Sequence, residues 1–467
     1  MMLPRGILTM RKPMFKEILA VASMLFGMFF GAGNLIFPAS MGQMAGGNLW
    51  QAAAGLLITG VGLPLLGVAA LGLSRENGLY EISCRVGRGF ALFFTCALYL
   101  AIGPFFAIPR CATVSFTVGI QRILPEAVQT VALLIFSFAF FAAVLFFSFN
   151  PGKILTWIGK ILNPIFLFFL ALLIIRALSD PLGTVSSIPP AGAYDSNAFS
   201  AGLLGGYNTM DALAGLAFGI VVVDVIRSLG VQEPREIAKN TIAAGVFSSL
   251  LMGLIYVLVM VVGAQSRGTF PIADNGGEVL AQVAEYYFGS IGAVLLAVTV
   301  TIACLKTAVG LIISCSEAFE KLFPRGPSYP LWTILFCTFS FAIANFGLDT
   351  IIAYSMPVLM FLYPLAIVLI LLTLCGSFFH NGRDVLRWTI GFTAAAALFD
   401  FLGALPEGVR AIFHMNGIVS WVEHWLPLAS IGFGWVCPAI AGLLIGLAVS
   451  HLKRVRNTVD GLPADKR

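Results

Sequence analysis

The stretch Phe30-Gly31-Ala32-Gly33-Asn34-Leu35-Ile36-Phe37-Pro38 lies in the middle of the first long apolar block, residues 17–44. A membrane-crossing helix needs roughly 20 apolar residues, and the block is long enough. Its centre is a poor helix all the same. Each Gly costs roughly 1 kcal/mol against Ala in a helix interior, and Asn competes for backbone hydrogen bonds. A second stretch, Gly205-Gly206-Tyr207-Asn208-Thr209-Met210-Asp211, interrupts another block, 199–226, in the same way. Both read Gly, two residues, Asn.

Apolar blocks recur along the whole chain: 17–44, 48–73, 90–121, 127–149, 153–178, 199–226, 238–264, 290–320, 328–346, 350–375, 384–404 and 428–451. Hydrophobic residues make up 59% of the 467 and charged residues 10%, too little charge to cover a soluble domain of this size. The blocks are too long and too uniformly apolar for barrel strands, and backbone groups in lipid have to be satisfied within the segment. The expectation is an all-α integral membrane protein of about twelve transmembrane helices. The chain 1–467 reads as a single membrane domain with no soluble appendage. The first block ends in a Pro-containing turn rather than a small-residue cleavage site, so it is expected to be retained.

Of the 27 Lys and Arg, 21 fall in segments on the side of the N-terminus and four (Arg122, Arg176, Arg267, Arg410) on the other. This bias places both termini, including the tail 453–467, in the cytoplasm. It also accounts for the net charge of +5, which is no nucleic-acid footprint. The eight cysteines contain no CxxC pair, and all four histidines lie in loops or at block ends, so neither a zinc site nor a disulfide framework is expected. Segment 406–427, with Trp421 and Trp425, reads as an amphipathic stretch at the outer interface. No HExxH or GxSxG motif is present, and no repeated pore motif, which argues against an intramembrane enzyme or a channel.

Glycines in membrane helices also serve close packing. Two breaks, each ending in Asn and separated by five crossings, favour unwound segments instead. The first block starts inside and the sixth outside, so the breaks run in opposite directions, the pattern of an inverted-repeat transporter. An unwound turn presents amides at the start of its second half-helix, which attract a carboxylate, and freed carbonyls, which attract an ammonium or a metal cation. A zwitterionic amino acid suits such a pair. The neighbours Met28, Phe29, Phe30, Tyr207 and Met210 favour an apolar substrate side chain.

The first motif resembles the signature of the bacterial branched-chain amino acid:cation symporters (system II carriers). So do Ala107-Ile108-Pro109-Arg110, Gly206 to Leu213, and Ala303-Cys304-Leu305-Lys306-Thr307-Ala308-Val309-Gly310. The resemblance covers essentially the whole chain. It implies the amino acid–polyamine–organocation superfamily and a leucine-transporter-like fold. Two inverted five-helix repeats (about 17–178 and 199–375), with helices 1 and 6 broken, would be followed by two additional helices (about 384–451). It implies import of leucine, isoleucine and valine across the bacterial cytoplasmic membrane by alternating access. The coupling ion would be sodium or a proton, with no cofactor and no obligate protein partner. It places the substrate against Phe29, Gly31, Ala32, Gly33, Asn34, Tyr207, Asn208 and Met210. It places the cation among Gly27, Phe30, Ala303, position 306 and Thr307.

Two positions depart from the family pattern. Thr117 stands where Glu is common, and Lys306 where a hydroxyl or small apolar residue is usual. The Lys306 ammonium would sit where sodium would otherwise bind and would favour proton coupling. The alternatives are a sodium site that survives beside it and a purely structural lysine. Asp211, just after the second break, is expected to cap the following half-helix, to pair with Lys306 or Arg110, or to face the substrate ammonium. Arg110, near two prolines, would satisfy carbonyls freed by a kink or form an outer gate. Asp224 and Arg227 read as an interfacial ion pair.

Overall fold

The computed structural model describes residues 14–459, apart from 75, 77, 122–123, 150–162, 377 and 380–381. Within these residues every expected block contains a helix. Span 1 is two half-helices, Phe15–Phe29 and Gly33–Ala45. Span 2 runs from Leu49 to Ser74, separated from span 1 by a tight turn with Gly46 at φ 47°. Spans 3 and 4 are Arg88–Gly119 and Glu126–Ser148. Span 5 is described from Asn163 to Ser179; the first third of its block lies outside the described residues. Span 6 is Ala198–Tyr207 and Asp211–Ser228, bent by 43°. Spans 7 to 11 are Pro234–Ser266, Gly276–Leu322, Tyr329–Ala344, Leu348–Leu374 and Arg383–Ala404. Span 12 is Val436–Val459.

Spans 2 and 3 each contain one wide π-helical turn, Ile58–Gly62 and Ala101–Phe105. The second departs fully from helical geometry at Gly103 and includes Pro104, whose ring cannot sit against an unbroken helix. Both wide turns border the bundle centre, where such turns commonly mark functional positions.

Two boundaries differ from the sequence reading. The blocks 238–264 and 290–320 leave 265–289 outside any span, but 276–288 is helical. Asn275 caps it by accepting from the Glu278 amide at 3.1 Å, and the helix turns into span 8 at Gly289, φ 59°. Span 12 was expected from 428. The chain there is instead irregular, with Leu428 and Gly432 both left-handed, and Gly432 packs on Leu204 and Met360. Continuing the helix through 428–435 would remove that contact. The interfacial segment forms helices Glu407–Ile412 and Asn416–Trp425 with Trp421 and Trp425 exposed. Asp224 and Arg227 form their ion pair at 3.1 Å.

The half-helices are pinned to their neighbours by backbone contact. A Cβ added at Gly42 would lie 2.0 Å from the Met260 carbonyl oxygen, and one at Gly263 2.1 Å from that of Ala39. The second half of span 1 and span 7 therefore touch main chain to main chain. At the other break, a Cβ at Gly202 would lie 2.1 Å from the Ala52 oxygen, so the first half of span 6 is held equally close to span 2. Small residues permit this approach, and dispersion and carbonyl contacts stabilise it where lipid supplies no hydrophobic drive between helices.

Candidate functional site

The first half of span 1 ends at Phe29. Phe30 is extended (φ −75°, ψ 96°), and helix resumes at Gly33. Two features keep the turn open. The Gly31 amide donates to Asn34 Oδ1 at 2.8 Å, so the Asn side chain replaces a helical acceptor. The Ala32, Gly33 and Asn34 amides then stand in the first turn of the second half-helix, where no earlier helical carbonyl can reach them. In span 6, Met210 takes the left-handed conformation (φ 61°), rare for a residue with a Cβ and costly by about 1–2 kcal/mol. Such strain persists where surroundings over-determine it. The Thr209 hydroxyl donates to the Gly206 carbonyl at 2.8 Å and holds the turn from its other side.

The breaks face each other. Asn34 Nδ2 donates to both carboxylate oxygens of Asp211, each at 2.9 Å. The Tyr256 hydroxyl of span 7 also donates to Asp211 and lies against Asn34 Nδ2. One buried polar cluster thus ties spans 1, 6 and 7 together. The expectation that Asp211 caps the following half-helix is not met. The cap position is Met210, which has no side chain suited to it, and the Asp211 carboxylate turns back to Asn34 and Tyr256.

Between the breaks lies a cavity of about 40 Å³, room for roughly three waters. Of the residues expected at the substrate, Phe29, Gly31, Ala32, Gly33, Asn34 and Met210 line it. Tyr207 and Asn208 do not. The Tyr207 ring stacks on Tyr363 of span 10, centroids 4.1 Å apart, on the far side of the helix. Asn208 approaches the site through its carbonyl, 3.6 Å from where a Gly33 Cβ would lie. Arg110, Asp211 and Thr307 also line the cavity, as do residues the sequence did not single out: Ile102, Cys111, Ala214, Phe218 and Leu311. Phe29 and Phe218 face each other with centroids 5.9 Å apart and form an apolar wall. Tyr256 was also missed; its one signal was a phenol in the middle of an apolar span.

The residues expected at the cation collect where spans 1, 5 and 8 meet. The Thr307 hydroxyl donates to the Phe30 carbonyl at 3.3 Å. Gly27 and Ala303 are buried. Lys306 is 2% exposed, and its ammonium lies over the rings of Phe26 (5.8 Å) and Phe166 (5.3 Å). One residue apart on a helix, Lys306 and Thr307 point about 100° away from each other, so the lysine faces span 5 while the threonine faces the span 1 break.

Two discontinuous helices bracketing a buried cavity at the centre of an all-helical membrane bundle define a transporter of the leucine-transporter-like fold. The fold is similar to that of Mhp1, a nucleobase-cation-symport-1 family transporter, in a closed conformation with bromovinylhydantoin bound. The TM-score is 0.61 at 14% identity, covering 96% of this chain and 94% of the other. It is also similar to MhsT in complex with L-phenylalanine (TM-score 0.56, 14% identity, 93% and 98% covered). The family described as "Branched-chain amino acid transport protein" matches residues 14–453, and the chain belongs to it. It is 51% identical over 423 residues to the branched-chain amino acid permease BrnQ of Lactobacillus delbrueckii subsp. lactis (90% of this chain, 94% of the relative). It is 42% identical over 433 residues to BrnQ of Bacillus subtilis (93% and 96%). It is 40% identical over 436 residues to the branched-chain amino acid transport system 2 carrier protein of Pseudomonas aeruginosa (93% and 96%).

Proposed function

We propose that this protein imports leucine, isoleucine and valine across the bacterial cytoplasmic membrane by alternating access. Both termini would be cytoplasmic, and the protein would serve no catalytic role. The observation that carries the reading is the pair of unwound turns facing one cavity, in a family of branched-chain amino acid transport proteins. Free amides, the Asp211 carboxylate and the apolar wall of Phe29 and Phe218 suit a zwitterion with an aliphatic side chain. A leucine is larger than a cavity of about 40 Å³, so binding requires the walls at the two breaks to move apart and then close.

For the coupling ion, Lys306 provides a fixed positive charge at the junction of spans 1, 5 and 8. It takes the role of a bound sodium and couples transport to protons by releasing and regaining one as the cavity opens to each side. A sodium-coupled reading has one observation in its favour: Thr307 and the Phe30 carbonyl still meet beside the break, where both are oxygen donors suited to a small cation.

The test is leucine uptake into liposomes, with sodium replaced by potassium at fixed pH and then with an imposed pH step. Uptake driven by the pH step without sodium supports proton coupling. Lys306→Met, which removes the charge at similar length, then loses accumulation but keeps leucine–leucine exchange. Uptake that requires sodium and ignores the pH step refutes the lysine mechanism. Absence of uptake of all three amino acids refutes the substrate assignment.

A further inference from the structure

The central cavity contains a cation that the coupling mechanism does not use. Arg110 is 2% exposed, and span 3 delivers it to the cavity just after its kink at Gly103–Phe106. Its guanidinium lies over the Phe37 ring, 4.9 Å from the centroid. A ring face attracts the charge but accepts none of the guanidinium's five N–H groups in the plane of the fork. Nη1 is buried with no hydrogen-bond partner among the described residues. A buried charged donor without an acceptor is strongly unfavourable. The acid sharing the cavity, Asp211, takes its hydrogen bonds from Asn34 and Tyr256.

The acceptor has therefore to come from what enters the cavity. We propose that Arg110 grips the α-carboxylate of the transported amino acid. A guanidinium fork matches a carboxylate with two parallel N–H···O bonds, a geometry lysine cannot reproduce. The amides opening the second half of span 1 line the same cavity and point their positive end at the same charge. Asp211, also on the wall, faces the ammonium. The site then recognises both ends of a free α-amino acid and rejects amides, amines and alcohols of the same shape. The kink in span 3 acquires a purpose, since it sets the fork against the span 1 break. This inference rests on the amino-acid reading above and adds the group that reads the carboxylate.

The test is competition of leucine, leucinamide and leucinol against labelled leucine on the purified full-length protein. The wild type is expected to bind leucine about 100-fold more tightly than leucinamide or leucinol, as loss of a buried charge-assisted pair requires. Arg110→Gln is expected to weaken leucine about 100-fold while leaving leucinamide unchanged, so that the preference collapses. Arg110→Lys, which keeps charge and bulk, is expected to weaken leucine about tenfold and carries the test if the Gln variant does not fold. The inference is overturned if the wild type binds leucine and leucinamide equally, if Arg110→Gln keeps the wild-type preference, or if Arg110→Lys keeps wild-type leucine affinity. A wild type that binds none of leucine, isoleucine and valine overturns the amino-acid reading itself, and this inference with it.

Discussion

Replacing Asn34 by Ala removes the residue that joins the two breaks. Its Oδ1 accepts from the Gly31 amide at 2.8 Å, and its Nδ2 reaches both oxygens of Asp211 at 2.9 Å. A neutral hydrogen bond contributes about 1 kcal/mol and one to a charged group about 1.5–3 kcal/mol. Helix–helix polar bonds in bilayers fall toward the lower end of such ranges. The sum is about 3 kcal/mol of preference for the geometry in which the breaks face each other. If that geometry is the one that accepts substrate, its population falls accordingly, and apparent affinity falls about 100-fold. The assay is leucine binding to purified protein by scintillation proximity at fixed pH and salt. Asn208 provides the control. It has the same place in the motif, but its Oδ1 is buried without a hydrogen-bond partner among the described residues. Asn208→Ala should therefore change affinity less than about threefold, under 1 kcal/mol. Equal effects at the two positions, or a wild-type affinity in Asn34→Ala, would refute the brace.

Gly31→Ala adds a Cβ 2.8 Å from Thr307 Cγ2 and 2.9 Å from its Oγ1. Threonine on a helix has few χ1 choices, so spans 1 and 8 have to part; ion dependence of uptake should weaken while expression persists, and unchanged ion dependence would count against the assigned junction. Met210→Gly relieves the left-handed backbone at φ 61°, worth about 1–2 kcal/mol, but deletes a core side chain that is 2% exposed, at a cost of about 2–5 kcal/mol, so thermal stability should fall. The same variant should lower leucine affinity, because Met210 lines the cavity; differential scanning fluorimetry and binding measure the two losses, and a variant more stable than wild type would refute this balance. Gly42→Ala places a Cβ 2.0 Å from the Met260 oxygen, whereas a Cβ at Gly310 meets nothing within 4 Å. Folded yield measured by size-exclusion chromatography should collapse for the first and hold for Gly310→Ala.

Much of the architecture was legible because lipid enforces it. A span long enough to cross has to be apolar and helical, and the two exceptions, Gly31 to Asn34 and Gly205 to Asp211, announce themselves as residues unfit for that task. What those residues touch was less legible. Asn34 and Asp211 are 177 positions apart, and local pattern cannot pair them. Asp211 had the residue type of a helix cap, but capping requires the residue before the helix, and the chain puts Met210 there. Tyr207 adjoins the break in sequence, yet helical rotation turns it onto Tyr363. The helix at 276–288 was hidden because it is too short to span and follows the polar turn 265–275; the Asn275 cap fixes its start.

The main-chain contacts at Gly42, Gly263 and Gly202 leave little slack for sliding between the helices that make them. The second half of span 1 lies on span 7, and span 2 lies along both halves of span 6, since a Cβ at Gly215 would also come within 2.7 Å of the Pro64 oxygen. The two unwound turns lack the helical hydrogen bonds of the rest of their spans, and in the proposed cycle those same turns would both flex and form the wall around the amino acid. Grip and hinge are made from one set of atoms. A variant evolved to hold its amino acid more firmly would stiffen its own joint, and its slowest step would become letting go.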